Sequence, residues 1–437
     1  MKRALYKNLL QWKMSPKRKP LILKGARQVG KTYLLQHFAK NEYDDYIYVN
    51  FDEVPQFASF FEKNLDPDRI IKDLGIYFKK TIQPNALIIF DEIQECPKAL
   101  NSLKYFCEKK NDYHVVSAGS LLGVTLTKGF PVGKVNFLNL GPLNFFEFLD
   151  SRGEASLLQM LEDLSEPIPI ADIFHNKLID LLKDYFIVGG MPEAVATYLQ
   201  TENFEAVRKV QKEILDAYTL DFAKHAPNDE VMKIMAVWDA IPNQLAKENK
   251  KFIFSAIRKS ARGREFETSI QWLKNAGLIV QSHRISVPKF PLDAYADKQA
   301  FKIFLLDIGL LGAMSKLDPR IVLNGDTLFQ EFKGSLTENY IALELHHRFQ
   351  DDLYYWASEG IAEVDFVIAH DQQIYPIEVK AGFSKQKKSL LVYGDKFSNE
   401  EKSPPVLARF SLRNFAFEGR IANFPLYAAG LFPHFKF

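Results

Sequence analysis

The octapeptide Gly25-Ala26-Arg27-Gln28-Val29-Gly30-Lys31-Thr32 sets two glycines, a lysine and a hydroxyl at the spacing G-x-x-x-x-G-K-S/T. That spacing suits a polyphosphate. Gly25 and Gly30 let the backbone curl so that its N–H groups point inward. A helix beginning near Lys31 adds the partial positive charge of its N-terminus. Lys31 can then reach the β- and γ-phosphates, and the Thr32 hydroxyl is an oxygen donor for Mg2+. Ala26, Arg27, Gln28, Val29 and Tyr33 complete the stretch expected to touch a nucleotide. Taken alone, the pattern also fits a Gly-rich turn before a helix. A second element narrows the choice. "LIIFDE" is an apolar run ending in Asp91 and Glu92. Asp91 is suited to hold Mg2+ directly or through water, and Glu92 to polarise an attacking water as general base. Ser120, closing "VVSAGS", reads as a γ-phosphate or water sensor, or as the N-cap of a following helix, and the roles are compatible.

A second constellation lies near the other end. In "EVDFVIA" alternation sets Asp365 opposite Val364, Phe366 and Ile368, and in "YPIEVKA" Glu378 and Lys380 share one face. The short "HDQQ" between them is compatible with a hairpin that brings Asp365 beside Glu378 and Lys380. Glu338 lies upstream, in the first turn expected for "TENYIALELHHRF". Asp365 and Glu378 would supply hard oxygen ligands to a divalent metal, and Lys380 would orient or activate a water. This arrangement resembles a PD-(D/E)xK nuclease-like fold, with Val364 where a proline often stands, and Glu338 resembles the helical glutamate that often completes the metal shell of that fold. The competing reading is a set of charges on the polar face of an ordinary sheet. Even the nuclease-like fold leaves cleavage open, since such a domain can bind without cutting.

The elements that must position these residues follow from periodicity. From Leu21 to about Asp150, apolar runs alternate with amphipathic stretches, which predicts βαβ units and a parallel sheet. Residues 1–150 are therefore expected to form a P-loop core. Residues 151–227 read as a helical lid broken at Gly189-Gly190, with Pro192 opening the next helix. Residues 228–318 read as helix, turn, helix, strand, the order of a winged helix. Arg258, Lys259, Arg262 and Arg264 cluster there and could meet phosphates, or could be a solvated face. Residues 319–437 are the nuclease-like domain. The fold class expected is α/β, a parallel P-loop sheet with a helical lid, then a winged helix-turn-helix and a C-terminal α/β restriction-endonuclease-like domain.

"GARQVGKT", "FDEIQ", "AGS", "LNLGPLNFFEFL" and "GGMPEAV" together resemble the prokaryotic AAA-type ATPases whose C-terminal half is a domain of unknown function. The resemblance spans nearly the whole chain and implies ATP and Mg2+ as cofactors. Lys134 follows Gly133 where that family often carries an arginine, keeping the charge but losing the planar fork.

The 437 residues carry 56 basic and 54 acidic side chains, so bulk charge does not announce a nucleic-acid binder. The two cysteines, Cys96 and Cys107, sit in no zinc pattern and fit a reducing compartment. No apolar run approaches a membrane span and no signal-peptide core is evident, so a cytoplasmic location without membrane partners is expected. The leading expectation is an ATPase coupled to a DNA-binding, nuclease-like effector. The alternative is an ATP-gated switch or assembly protein whose silent C-terminal domain binds protein or DNA. A protein partner or homo-oligomer fits either.

Overall fold

A computed structural model describes residues 1–120, 131–246, 251–257, 262–324, 330–350, 352–358, 362–383, 388–397 and 407–434. The chain divides into two compact units, residues 1–141 with 275–277 and residues 142–274 with 278–437.

The first unit is built on a parallel sheet. Strands β1 (Leu21–Lys24), β2 (Tyr46–Asn50), β3 (Leu87–Asp91), β4 (His114–Gly119) and β5 (Asn136–Asn139) run in the order β2-β3-β4-β1-β5, every pairing parallel. Burial follows position. The central strands β3 and β4 are buried at every residue, whereas the edge strands β2 and β5 alternate. Central parallel strands are covered on both faces, which is why their sequences are near-continuous apolar runs. Helices Lys31–Glu42, Pro67–Tyr77 and Pro97–Lys109 cross between strands and bury Leu34, Leu35 and Phe38, then Ile70 and Leu74, then Leu103 and Phe106. The α/β reading of this half holds. The carboxyl ends of β1 and β3, where such sheets take ligands, carry the glycine-rich loop and Asp91.

The second unit opens with helices Phe145–Ser151, Ala155–Glu162, Asp172–Val188, Pro192–Thr201 and Phe204–His225. Pro192 begins its helix, and Gly189 takes the left-handed conformation at φ 71°. Sequence reading did not single out the residue that explains the double glycine, Asp307. Its carboxylate accepts the Gly190 N–H at 2.6 Å and the Leu310 N–H at 2.8 Å, the second bond capping helix Ile308–Met314. A Cβ on Gly190 would stand 1.9 Å from the Leu143 carbonyl oxygen. The Leu143 N–H donates to the Gly190 carbonyl at 2.6 Å, and the Tyr185 hydroxyl donates to the Leu143 carbonyl at 2.6 Å. Burial pushes the Asp307 carboxyl up to about 6, against the backbone N–H groups that favour its ionised form.

A mixed sheet follows. Its described strands are β6 (Ile279–Ile285), β7 (Ala296–Leu305), β8 (Leu353–Ala357), β9 (Glu363–His370), β10 (Gln373–Val379), β11 (Leu407–Ser411), β12 (Ala416–Glu418) and β13 (Ile421–Pro425). They run in the order β12-β13-β11-β10-β9-β8-β6-β7. Helices Val231–Leu245 and Gly263–Asn275 precede β6, as the expected order requires. The strand that follows them is not a separate wing, however. β6 pairs antiparallel with β7 and parallel with β8, so both belong to the sheet of the C-terminal strands. The boundary expected between 318 and 319 falls inside one compact unit. Long-range strand pairing decides this, and the polar stretch after Pro319 carries no information about it. Arg262 and Arg264 are exposed, while Arg258 and Lys259 lie outside the described residues.

Two substitutions test the turn around Asp307. Gly190→Ala drives a methyl into a carbonyl and should cost about 2–4 kcal/mol. Asp307→Ala strands two buried N–H groups at about 1–3 kcal/mol each. Because the two residues share a hydrogen bond, the double variant should lose less than the sum. Thermal melting checks this, and a wild-type melting temperature for Gly190→Ala would sink the packing argument.

Candidate nucleotide site and the C-terminal carboxylate cluster

The glycine-rich loop leaves β1 at Lys24 and enters helix Lys31–Glu42 through Gly30, which is left-handed at φ 92°. Gly25 is required by close approach, since a Cβ there would stand 2.1 Å from the Leu140 carbonyl oxygen. Gln28, not a glycine, also holds positive φ, at 63°. Lys31 is 7% exposed, and its ammonium donates to the Gly25 carbonyl at 2.9 Å and the Ala26 carbonyl at 2.7 Å. Burial lowers its pKa to about 8, partly opposed by the charges of Glu92 and Asp91 and reinforced by Arg27. Tyr33 is exposed and stacks on His37.

Parallel pairing brings the second motif to the same edge. The Thr32 hydroxyl donates to Asp91 Oδ2 at 2.7 Å. The same oxygen accepts from the Tyr48 hydroxyl at 2.8 Å, and the Glu92 N–H donates to Oδ1 at 3.0 Å. Glu92 sits at positive φ, 50°, and its carboxylate accepts from the Gln94 side chain. Backbone held in that region by a non-glycine residue tends to mark sites where a side chain must be aimed. Ser120 is buried, and its hydroxyl accepts from Arg27 Nε at 3.3 Å. The predicted residues Gly25, Arg27, Lys31, Thr32, Asp91, Glu92 and Ser120 are therefore brought together. Thr32 and Asp91 offer hard oxygens within 2.7 Å of each other, a donor set that fits Mg2+. Lys134, in contrast, pairs with Glu108 at 3.0 Å.

Sequence reasoning missed three supporting residues. Tyr48 and Gln94 hold the carboxylates just described. Arg3 is buried and donates to the Val29 carbonyl at 2.8 Å and the Gly141 carbonyl at 2.6 Å, bracing the loop from outside. Tyr48 had a usable signal in the alternation of "YIYVN" at the edge of the sheet. Arg3 had none, since a basic N-terminus reads as solvated.

The C-terminal residues also converge, but on a different chemistry. β9 and β10 form the expected hairpin, and Asp365 accepts the Val379 N–H at 2.7 Å. Glu378 is buried and pairs with the Lys380 ammonium at 2.8 Å. Glu338 is aimed by its neighbour. Asn339 accepts the Leu305 N–H at 2.8 Å and donates to the Leu305 carbonyl at 3.0 Å, clamping helix Gln330–Phe349 to the end of β7. That clamp sets Glu338 near Lys302, the residue sequence reading overlooked.

Lys302 is fully buried on β7. Its ammonium pairs with Glu363, lies 3.9 Å from Glu338, and stands 4.8 Å from the centre of the Tyr355 ring. Burial alone would lower its pKa, yet Glu363, Glu338 and Asp365 together hold it above the ordinary lysine value. Lys380 is shifted the same way: burial opposes, and Glu378, Asp365 and Glu338 outweigh it. Glu378 Oε2 is buried without a hydrogen-bond partner among the described residues, which by itself would suit a cation. Two ammoniums already serve these carboxylates, however, and no group of three or more His, Cys, Asp or Glu among the described residues is arranged to hold a metal. The carboxylates expected as a metal set, Glu338, Asp365 and Glu378, thus face the protein's own ammoniums in this structure.

Residues 17–149 match the family described as an AAA domain. That stretch holds the glycine-rich loop and the five strands of the parallel sheet. Residues 179–321 and 333–428 match two families described as domains of unknown function, DUF8612 and DUF4143. Among curated proteins, an uncharacterized protein of Methanocaldococcus jannaschii, MJ1544, is 25% identical over 362 residues, 79% of this chain and 71% of that one. Among solved structures, the Walker-type ATPase PABY2304 of Pyrococcus abyssi is similar over 72% of this chain and 95% of its own, at 14% identity and TM-score 0.44. The RuvB Holliday junction branch migration motor of Thermotoga maritima is similar over 63% of this chain and 88% of its own, at 14% identity and TM-score 0.31. No described helix is long and apolar enough to cross a membrane.

The Lys31 environment generates a pH prediction. With its pKa near 8, the unliganded lysine loses its charge as pH rises through that value, while bound phosphate favours the charged form. Nucleotide binding should weaken from pH 7 to 9 and take up protons above pH 8. Calorimetry in buffers of different ionisation enthalpy measures this, and flat affinity without proton uptake would refute it.

Proposed function

We propose that this chain is a Mg2+-dependent ATPase whose nucleotide state switches a binding, non-cutting C-terminal unit. The observation that carries the first half is the Thr32–Asp91 hydrogen bond of 2.7 Å at the ligand edge of the parallel sheet, with Lys31 in the same loop. The backbone of Gly25–Gly30 and Ala26, Arg27, Gln28, Val29 and Tyr33 would wrap the nucleotide. Lys31 would draw the β- and γ-phosphates into place. Thr32 and Asp91 would hold Mg2+, which neutralises charge on the phosphate oxygens when bound. Glu92, aimed by Gln94, would orient water in line with the γ-phosphorus and take its proton. Ser120 would register whether the γ-phosphate is present.

Lys31→Ala should lower the steady-state rate of phosphate release by about a hundredfold or more, because a positioned charge on the transferring group is worth at least that. Equal rates in wild type and variant would remove the assignment.

The second half rests on Lys302 and Lys380. The hairpin of β9 and β10 with Glu338 above it supports a nuclease-like fold, and the two lysines favour its being silent. Lys302, between Glu338 and Glu363, would do internally what a metal does in a cutting enzyme. Asp365, Glu378 and Lys380, read from sequence as catalytic, would then be structural. DNA is the partner we propose for this unit, on the exposed Arg262 and Arg264 at the start of helix Gly263–Asn275. Linear and supercoiled DNA incubated with Mg2+ or Mn2+ should be bound, more weakly as salt rises, and left intact. Cutting that disappears in Asp365→Ala would overturn the silent reading, and absence of binding at low salt would remove DNA as partner. Lys302→Met should lose about 3–5 kcal/mol, because the buried Glu338 is then left beside an uncharged side chain. Mn2+ should raise the melting temperature of that variant and not of wild type.

A further inference from the structure

The hydrogen bonds that Asp91 already receives determine how it can meet a metal. A carboxylate only accepts, and each of its oxygens offers about two lone-pair sites. Oδ2 takes two hydroxyl protons at once, from Thr32 at 2.7 Å and from Tyr48 at 2.8 Å. Oδ1 takes the Glu92 N–H at 3.0 Å. Among the described residues Oδ2 is thereby filled, and an open site remains only on Oδ1.

The two donors to Oδ2 have different duties. The Thr32 hydroxyl can give its proton to Asp91 and still turn its own lone pairs to a cation. Tyr48 stands on the edge strand β2, whose register sets Asn50 beside Asp91. Tyr48 and Asn50 are two residues apart on that strand and share a face. The Asn50 side chain fixes where the tyrosine proton points. Asn50 Oδ1 accepts the Asp52 N–H at 2.9 Å and the Glu53 N–H at 3.0 Å, so the other end of the amide is the donor. That Nδ2 donates to the Tyr48 hydroxyl oxygen at 3.2 Å, which leaves the tyrosine proton for Asp91. The turn after β2 thus holds Tyr48 as a donor to Oδ2.

Divalent ions differ in what they ask of a carboxylate. Ca2+ takes roughly six to eight oxygens in flexible geometry and often both oxygens of one carboxylate. Mg2+ demands near-octahedral geometry, keeps several waters, and is served by a single carboxylate oxygen or by a water that this oxygen holds.

We propose that Tyr48 sets the metal selectivity of the nucleotide site: its proton on Oδ2 stops Asp91 from gripping an ion with both oxygens, which admits Mg2+ and disfavours Ca2+. This rests on the ATPase reading above. Tyr48 acts through Asp91 and is a positioning residue. Removing its hydroxyl opens a site on Oδ2 and leaves Oδ1 as it was. Ca2+ gains a second oxygen from this change, and Mg2+ gains little.

The experiment compares the full-length chain with Tyr48→Phe and with Tyr46→Phe, a control on the same strand and face. Binding of a fluorescent, non-hydrolysable ATP analogue is measured with excess Mg2+ and with excess Ca2+. Phosphate release from ATP is measured in parallel, and melting curves establish folding. Wild type should bind the Mg2+ complex more tightly than the Ca2+ complex. Tyr48→Phe should tighten binding of the Ca2+ complex by about tenfold, the worth of one hydrogen bond to a charged group. Its affinity for the Mg2+ complex should stay within about threefold of wild type. Tyr46→Phe should change neither.

An unchanged ratio of the two affinities in Tyr48→Phe, an equal loss of both, or a wild type that prefers Ca2+ would each overturn the proposal. An equal loss is what a purely structural tyrosine would give. If wild type binds the analogue but releases no phosphate from ATP, the ATPase reading fails and the affinity ratio still decides on Tyr48. If wild type binds neither complex, the nucleotide site and the role of Tyr48 fall together.

Discussion

The Asp91 carboxylate is the interaction on which the first unit's site depends. It is almost wholly buried and receives the Thr32 hydroxyl, the Tyr48 hydroxyl and the Glu92 N–H. Those three bonds tie the start of the P-loop helix, strand β2 and the end of β3 to one charged group. A buried charge must be hydrogen-bonded, so the three elements cannot drift apart without stranding it. The sheet order exists, for this purpose, to deliver Asp91 and the loop to the same edge. β1 and β3 are not adjacent, with β4 between them, and β4 brings Ser120 to the same place.

The two carboxylate systems of this chain differ in what satisfies them. Around Asp91 the hydrogen-bond donors are neutral: two hydroxyls and a backbone N–H. Among the described residues its charge is met by dipoles and by no ion pair within bonding distance, which suits an added cation. Around Glu338, Glu363, Asp365 and Glu378 the protein supplies two ammoniums of its own, Lys302 and Lys380. Buried ion pairs gain little net stability but are costly to break from one side. Lys302 is fully enclosed, and its charge is met by Glu363 and Glu338. The same residue types thus sit in opposite electrostatic settings, according to the charge of their nearest donors.

Backbone contacts explain why certain glycines are where they are. The segment from Leu140 to Leu143 presents carbonyls to Gly25 in the first unit and to Gly190 in the second, each at a distance no Cβ could tolerate. Neither glycine is there only for its own torsion angles. In Gly190 the demand is close approach, reinforced by the Asp307 carboxylate on its N–H. Sequence inspection marks such residues as turn glycines and stops, since the carbonyl that excludes a side chain belongs to a distant part of the chain.

By itself the sequence determined the P-loop domain, its parallel sheet, the helical stretch after it and the hairpin of Asp365 and Glu378. Each of these is written in local periodicity or in a motif of a few residues, where burial on one face or both dictates residue type. It also determined which carboxylates would meet, because strand alternation assigns a face. Only the tertiary structure decided what they would meet. Lys302 and Asp307 flank Ile303, Phe304, Leu305 and Leu306 in an otherwise unremarked strand and turn, yet one faces a carboxylate cluster and the other locks the double glycine. The strand expected after the two helices pairs within the C-terminal sheet for the same reason. Strand pairing and ion pairing act between residues brought together by folding, and no spacing along the chain encodes the partner.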